Sequence, residues 1–182
     1  MNLIKIICIQ VIVLFPLLAF AEVNERIFQI GVGYSRIQFN AEEFRSSPTD
    51  TKGAFTFDAF QFRMAAFKDF SSIRLGAEFQ YHKSLQNRDT TTGSFGLEEY
   101  EFNLPANFNI WQGLCIEFGV VAFTIFSQPN REFNSVSGVG WLGGLSYVLN
   151  AQWELRMRRE DKVLLSGDDI QPSYSMNISY QF

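Results

Sequence analysis

YSMNISYQF, from Tyr174 to Phe182, is the stretch that decides the fold, because apolar and polar residues alternate in it without exception. Successive side chains of a β-strand point to opposite faces, so this segment has one apolar and one polar face. The apolar face consists of Tyr174, Met176, Ile178, Tyr180 and Phe182. Chain ends usually fray into solvent, so an aromatic final strand residue indicates that the terminus is part of a sheet.

The amino-terminal segment predicts export. Residues 1–21 carry a single lysine, Lys5, followed by a long apolar run and the small-residue sequence Ala19-Phe20-Ala21. This arrangement is typical of a secretory signal peptide cleaved before Glu22, and the alternative is an uncleaved membrane anchor. We therefore divide the chain into a signal peptide, 1–21, and a single mature domain, 22–182.

Composition excludes several classes of protein. The 182-residue chain has a formal net charge of −4, which argues against nucleic acid as a partner, because phosphate binding needs a basic surface. Only Cys115 lies after the signal peptide, so no internal disulfide is expected. No apolar run of about 20 residues follows Ala21, so we expect no membrane-spanning helix. No motif indicates a cofactor or a metal, and we expect neither.

Alternation with a period of two continues along the mature chain and predicts eight strands. We expect them at 27–36, 54–66, 73–82, 99–108, 114–126, 139–149, 153–159 and 174–182. In the second strand the apolar phase changes between Phe57 and Phe60, which predicts a β-bulge near Ala59. Pro105 cannot donate a ladder hydrogen bond and is expected near a strand end or at a bulge.

The connections alternate in length. Tight turns join strands two and three, four and five, and six and seven, whereas long polar loops occupy 37–53, 83–96, 127–138 and 160–171. Short turns at one rim and long loops at the other are typical of outer-membrane barrels, as are aromatic girdles at both ends of the apolar face. The girdle residues expected at the long-loop rim are Tyr34, Phe55, Tyr81, Tyr100, Phe126, Trp141 and Tyr174, and those at the other rim are Phe28, Phe108, Trp111, Trp153 and Phe182. A soluble exported sandwich or a lipocalin-like barrel is the alternative.

If the apolar faces point outward, the polar faces line the interior. Ten charged residues are then expected inside: Asp58, Arg63, Arg74, Glu78, Glu99, Glu101, Glu117, Glu154, Arg156 and Arg158. The interior of an eight-stranded barrel is just wide enough for side chains, so these charges should interlock and plug the lumen. A narrow porin-like channel for small solutes or ions is the alternative.

The signal peptide, the eight alternating strands and the ending Tyr174-x-Met176-x-Ile178-x-Tyr180-x-Phe182 resemble those of small eight-stranded bacterial outer-membrane proteins of the OmpA and OmpX type. The resemblance covers the whole mature chain. It implies a monomeric up-and-down transmembrane β-barrel in the outer membrane, in contact with outer-membrane lipids and lipopolysaccharide. The ending looks like the carboxyl-terminal assembly signal of such proteins, which implies the barrel assembly machinery and periplasmic chaperones as partners.

The resemblance leaves activity open, because such barrels serve as anchors, adhesins, pores and lipid-modifying enzymes. We expect no catalysis, and a structural or surface-interaction role in the long loops, where Phe39, Phe44, Arg45 and Pro48 could form a contact surface. The enzymatic alternative uses His82 and Ser84, whose H-x-S spacing resembles that of outer-membrane lipid A deacylases.

Overall fold

The computed structural model describes residues 26–40, 54–90, 93–128, 135–165 and 169–182. They form nine antiparallel strands: β1 Arg26–Asn40, β2 Ala54–Phe70, β3 Ile73–Ser84, β4 Arg88–Thr90, β5 Gly93–Trp111, β6 Leu114–Gln128, β7 Val136–Val148, β8 Trp153–Leu164 and β9 Asp169–Gln181. Among these described residues, no helix has the length and hydrophobicity needed to cross a membrane.

Eight of the strands close into a barrel. Each long strand pairs with its neighbours in sequence, β9 pairs with β1, and β3 pairs with β5 past the short β4, which forms a hairpin with the start of β5. Strand pairing therefore leaves no open edge in the barrel wall, and the prediction of an eight-stranded up-and-down barrel is confirmed. The short connections span 71–72, 112–113 and 149–152, and they all lie at the rim where β9 ends, called here the short-turn end.

The second strand corrects a sequence prediction. The register between β1 and β2 runs without a shift from Arg26↔Lys68 to Asn40↔Ala54, so the bulge expected near Ala59 is wrong. The apolar phase changes for another reason. Phe57 and Ala59 are buried inside the barrel, whereas Phe60 lies on its outer surface. The interior is apolar at the long-loop end, so an inward phenylalanine is accommodated there.

Pro105 also lies away from the position we expected. It occurs well inside β5, in register with Gly119 of β6. On its other side, the pairing of β5 with β3 is interrupted between Leu75↔Ala106 and Glu78↔Asn103, the level at which proline has no N–H to donate.

Strand β8 extends to Leu164, so residues 160–164 are strand and not loop.

The distribution of side chains is polar inside and apolar outside. Phe28, Val120 and Trp141 are 51%, 56% and 55% exposed on the outer surface, whereas Arg63 and Glu78 are at most 1% exposed in the interior. A soluble sandwich or lipocalin-like barrel would bury its apolar face, so that alternative is excluded. Most of the apolar residues inside the described barrel lie at the long-loop end, where they form what we call the apolar cluster: Ile37, Phe57, Ala59, Leu97, Val121, Phe123, Ile125, Leu164 and Ile170.

Candidate functional site

Three arginines and three glutamates interlock in the half of the interior nearer the short-turn end. We call them the lower charge cluster: Arg63, Glu78, Glu117, Glu154, Arg156 and Arg158. Arg158 donates to Glu78 Oε2 at 2.9 Å and to Glu117 Oε2 at 3.0 Å. Arg156 reaches the same two carboxylates at 3.1 and 3.2 Å. Buried charges are tolerated when they are paired and hydrogen-bonded, and here the two signs balance.

Neutral groups add further hydrogen bonds to the lower charge cluster, although Arg63 Nη2 has none. Gln29 donates to Glu154 Oε2 at 2.9 Å and accepts from Arg63 Nη1 at 2.8 Å, and Arg63 Nη1 also donates to Ser179 Oγ at 2.8 Å. The guanidinium carbon atoms of Arg63 and Arg156 lie 5.6 and 5.4 Å from the centroid of the Phe67 ring. This inward phenylalanine therefore provides cation–π contacts beneath the ion pairs.

A second group of ionisable residues lies closer to the long-loop end. This upper charge cluster consists of His82, Glu99, Glu101, Glu160 and Lys162, all at most 2% exposed. Lys162 Nζ lies 2.8 Å from Glu99 Oε1 and 3.0 Å from Glu160 Oε2, and it also donates to Glu101. Asn103 connects the two clusters, because its Nδ2 lies 3.2 Å from Glu78 Oε1 and 3.5 Å from Glu101 Oε2.

Sequence reasoning missed three members of the upper charge cluster. Glu160 and Lys162 fall in the predicted loop 160–171, although they continue the inward phase of Arg158 along β8. The H-x-S spacing points to catalysis by His82 and gives no sign of its place in the charge network. Continuing the alternation by three residues, to Lys162, predicts both Glu160 and Lys162 as strand residues.

Of the ten predicted lumen residues, eight are buried in the interior, one lies at the short-turn rim and one lies on the outer face. Glu78, Glu99, Glu101, Glu117 and Glu154, with Arg63, Arg156 and Arg158, are buried in the interior. Arg74 lies at the short-turn rim, where it contacts Asp69 at 2.7 Å and Glu154 at 3.4 Å.

Asp58 was predicted to face the lumen, and this is wrong. It lies on the outer face, accepts a hydrogen bond from Tyr34 Oη and pairs with Arg36 Nε at 3.0 Å. The bulge predicted at Ala59 assigned Asp58 to the polar interior, whereas the regular strand turns it outward with Phe60.

The pair expected for the enzymatic alternative is not arranged as a nucleophile and its base. His82 Nδ1 pairs with Ser35 Oγ at 2.8 Å, and Ser84 Oγ accepts the backbone N–H of Leu97 at 2.9 Å. His82 is 1% exposed. Its imidazole therefore serves a buried network instead of facing a substrate at the surface.

Ion pairs mark the limit of the apolar outer surface on the side of the long loops, called upper here. Arg36 pairs with Asp58 at 3.0 Å, Arg159 with Asp161 at 2.8 Å, and Lys83 with Glu98 at 3.5 Å. Below them lie the exposed girdle residues Tyr34, Tyr100, Trp141 and Tyr174, and at the other rim Phe28, Phe108, Trp111, Trp153 and Phe182. The side chain of Phe55 lies outside the described residues, as do those of Phe39, Phe44, Arg45 and Pro48.

The five residues of the proposed assembly signal, Tyr174, Met176, Ile178, Tyr180 and Phe182, share the outer face of β9. The Tyr180 ring lies 5.1 Å from the Trp153 ring and 5.0 Å from the Phe182 ring. The backbone N–H of Phe182 donates to Phe28 O at 2.9 Å, which ties this residue to β1.

Comparison with solved structures identifies the same architecture. No protein-family model and no curated protein sequence matches the chain. The chain is similar to Neisserial surface protein A, with a TM-score of 0.56 and 12% identity, over 86% of this chain and 97% of that one. It is equally similar to Ail, the attachment invasion locus protein of Yersinia pestis, solved with the heparin analogue sucrose octasulfate: the TM-score is 0.56 and the identity 13%, over 87% and 99%. The chain therefore has the fold of the small eight-stranded bacterial outer-membrane barrels.

Proposed function

We propose that the protein is an integral outer-membrane barrel with a non-conducting lumen, and that its long loops carry a structural or surface-interaction role. The observation that carries this proposal is the inverted distribution of side chains. Charged residues are buried inside, and an apolar surface bounded by aromatic residues covers the outside. A hydrocarbon environment stabilises such an exterior, and water does not.

Three successive barriers support a non-conducting lumen. A solute entering from the long-loop end would meet the apolar cluster, then the upper charge cluster, then the lower one. The lower cluster holds its charges through contacts such as Arg158 with Glu78 and Glu117. Passage would separate buried ion pairs, and removing one partner of such a pair costs about 3–5 kcal/mol.

The lengths of the strands support a role at the cell surface. Strands β1, β2, β5 and β6 contain 15, 17, 19 and 15 residues, whereas a membrane-spanning β-strand needs about 9–11. The excess lies beyond the ion pairs that bound the apolar surface, so the barrel wall continues past the membrane. Such a wall, filled by the apolar cluster, is a rigid support for the loops, which is where binding residues of such scaffolds occur.

Lipopolysaccharide is the lipid partner that the outer rim favours. Arg36 in β1 and Arg159 in β8 are both in register with Tyr174 of β9, from opposite sides, just above the aromatic girdle. Each arginine is about half exposed. Guanidinium groups recognise phosphate in two-point contacts, so this position suits the phosphates of an outer-leaflet glycolipid. Periplasmic chaperones and the barrel assembly machinery are the proposed partners during export.

Mobility and conductance together test the proposal. The detergent-folded protein should change its electrophoretic mobility on boiling, as a barrel does, and should give no steady current in a planar lipid bilayer. A steady cation-selective current from the heat-modifiable form would contradict the non-conducting lumen and support the narrow-channel alternative. No change in mobility would contradict the membrane barrel itself.

The role of the loops needs a separate test. Replacing residues 43–51 with an equally long Gly/Ser sequence should abolish attachment of barrel-expressing bacteria to host glycans or matrix proteins and leave the amount of folded barrel unchanged. The matched control replaces residues 166–168 in the same way. Equal attachment by the loop-one variant and the unaltered protein would contradict a binding role for that loop.

A further inference from the structure

Three residues of the upper charge cluster each have an atom that could bind a metal ion, and these atoms lie close together. The candidate ligand atoms of His82, Glu99 and Glu101 all lie within 4.8 Å of one another. All three residues are at most 1% exposed. Both Glu99 Oε2 and His82 Nε2 are buried without a hydrogen bond, and the nearest acidic oxygen to His82 Nε2 is Glu101 Oε2 at 3.4 Å. A buried polar atom without a partner costs free energy, so its presence calls for a ligand or a role.

The other atoms of these three residues are occupied. Ser35 Oγ holds His82 Nδ1 at 2.8 Å, and Lys162 Nζ binds Glu99 Oε1 at 2.8 Å and also donates to Glu101 Oε1. Glu101 Oε2 has two long contacts, 3.4 Å from His82 Nε2 and 3.5 Å from Asn103 Nδ2. In metal sites a second group typically holds the outer nitrogen of the histidine and orients its ring. Ser35 occupies that position here.

The charges of the upper cluster are unequal. Glu99, Glu101 and Glu160 surround Lys162, so two negative charges remain when all four are ionised and His82 is neutral. Glu160 Oε1 also lacks a hydrogen-bond partner. The lower cluster offers no compensation, because its own arginines and glutamates are already equal in number. A divalent cation would neutralise the excess without any change of fold.

We propose that His82, Glu99 and Glu101 form a binding site for a divalent transition-metal ion such as Zn²⁺ inside the barrel. One imidazole and two carboxylates are ligands that Zn²⁺ accepts in a tetrahedral site, with a fourth position for water or Glu160. The apolar cluster covers the site, so the ion enters during folding and stays bound afterwards. Its role is to join β3 to β5 inside the barrel, near the level of the ion pairs that bound the apolar outer surface. The absence of a metal motif in the sequence reflects ligands that come from two strands.

Metal analysis of the folded protein tests the site. An untagged barrel is folded in detergent with Zn²⁺, freed of unbound metal on a desalting column and analysed by mass spectrometry for zinc. We expect about one ion per chain. His82→Gln and Glu99→Gln should lose the zinc, and Ser35→Ala should weaken binding roughly 10- to 100-fold. Glu98→Gln is the matched control, because Glu98 neighbours Glu99 but pairs with Lys83 on the outer face, and it should keep the ion.

Two results would overturn the site: a folded protein without stoichiometric zinc, or zinc that persists in His82→Gln and Glu99→Gln. X-ray absorption at the zinc edge of the unaltered protein gives an answer that does not depend on variants that fold. Scattering from one imidazole with oxygen ligands is expected, and a spectrum without imidazole would contradict the assignment. Conductance and loop-dependent attachment are independent of this result, so failure of the metal site would leave the proposed function standing.

Discussion

Lys162 of β8 donates through Nζ to Glu99 Oε1 of β5 at 2.8 Å, although β7 and β6 lie between these two strands. The contact therefore crosses the interior and does not follow the hydrogen-bonded ladder. It holds opposite parts of the wall together above the level at which Arg156 and Arg158 do the same. Burial of both partners makes this contact a sensitive point of the barrel.

Replacing Lys162 should destabilise the barrel strongly. Lys162→Met leaves three buried glutamates without their ammonium group, and the free energy of unfolding should fall by about 3–5 kcal/mol. Urea unfolding in lipid vesicles, followed by tryptophan fluorescence, measures the change. Lys83→Met is the control, since Lys83 is exposed and its pair with Glu98 should contribute little. An unfolding midpoint for Lys162→Met equal to that of the unaltered protein would show that the upper charge cluster does not stabilise the fold.

Gly140 and Gly143 of β7 should differ in how well they tolerate a side chain, because the neighbouring atoms approach them to different distances. A Cβ atom on Gly140 would lie 2.2 Å from the backbone oxygen of Asp161, whereas the nearest atom to a Cβ on Gly143 is 3.8 Å away. Overpacking of this kind costs about 1–3 kcal/mol. Gly140→Ala should therefore lower the folded fraction in a mobility assay at intermediate urea, and Gly143→Ala should leave it unchanged. Similar behaviour of the two variants would contradict the close approach of the strands.

The free-energy cost of a charged residue on the outer face should depend on its depth in the bilayer. Val32→Arg places a charge in the middle of the apolar surface and should cost about 2–4 kcal/mol in a bilayer. Val163→Arg is the control, because Val163 lies beyond the Arg159 and Asp161 pair that limits this surface. Unfolding of both variants in vesicles measures the difference. An equal, small effect would be expected of a surface that faces water, and it would contradict the membrane orientation.

The outer face of β9 should affect assembly in cells more than folding into detergent. Phe182 is 69% exposed and contacts Tyr180, so Phe182→Ala should change folding into detergent only slightly. If the residue is part of an assembly signal, the amount of heat-modifiable barrel in the outer membrane should fall several-fold. Met157→Ala, on the adjoining strand with a similarly exposed side chain, is the control. Unchanged assembly of the Phe182 variant in cells would show that Phe182 is not part of an assembly signal.

His82 illustrates what sequence reasoning missed at the candidate site. Its inward phase follows from the alternation of β3, but its neighbours come from β1, β5 and β8, and their levels depend on strand register and barrel tilt. The pairing with Ser35, 47 residues away, therefore could not be read from local spacing. The H-x-S spacing pointed instead to Ser84, which bonds the backbone of Leu97.

Sequence alone predicts the eight wall strands, the polar-inside arrangement and the barrel, because these follow from alternation along single segments and from the lengths of the connections. Its error at Asp58 came from an expectation that the interior is polar along its whole length. Where the interior becomes apolar, which charges meet and which buried atoms remain without hydrogen bonds are visible only in the folded barrel. Those features depend on how far each strand is staggered against the next, and the stagger is set by pairing around the closed wall.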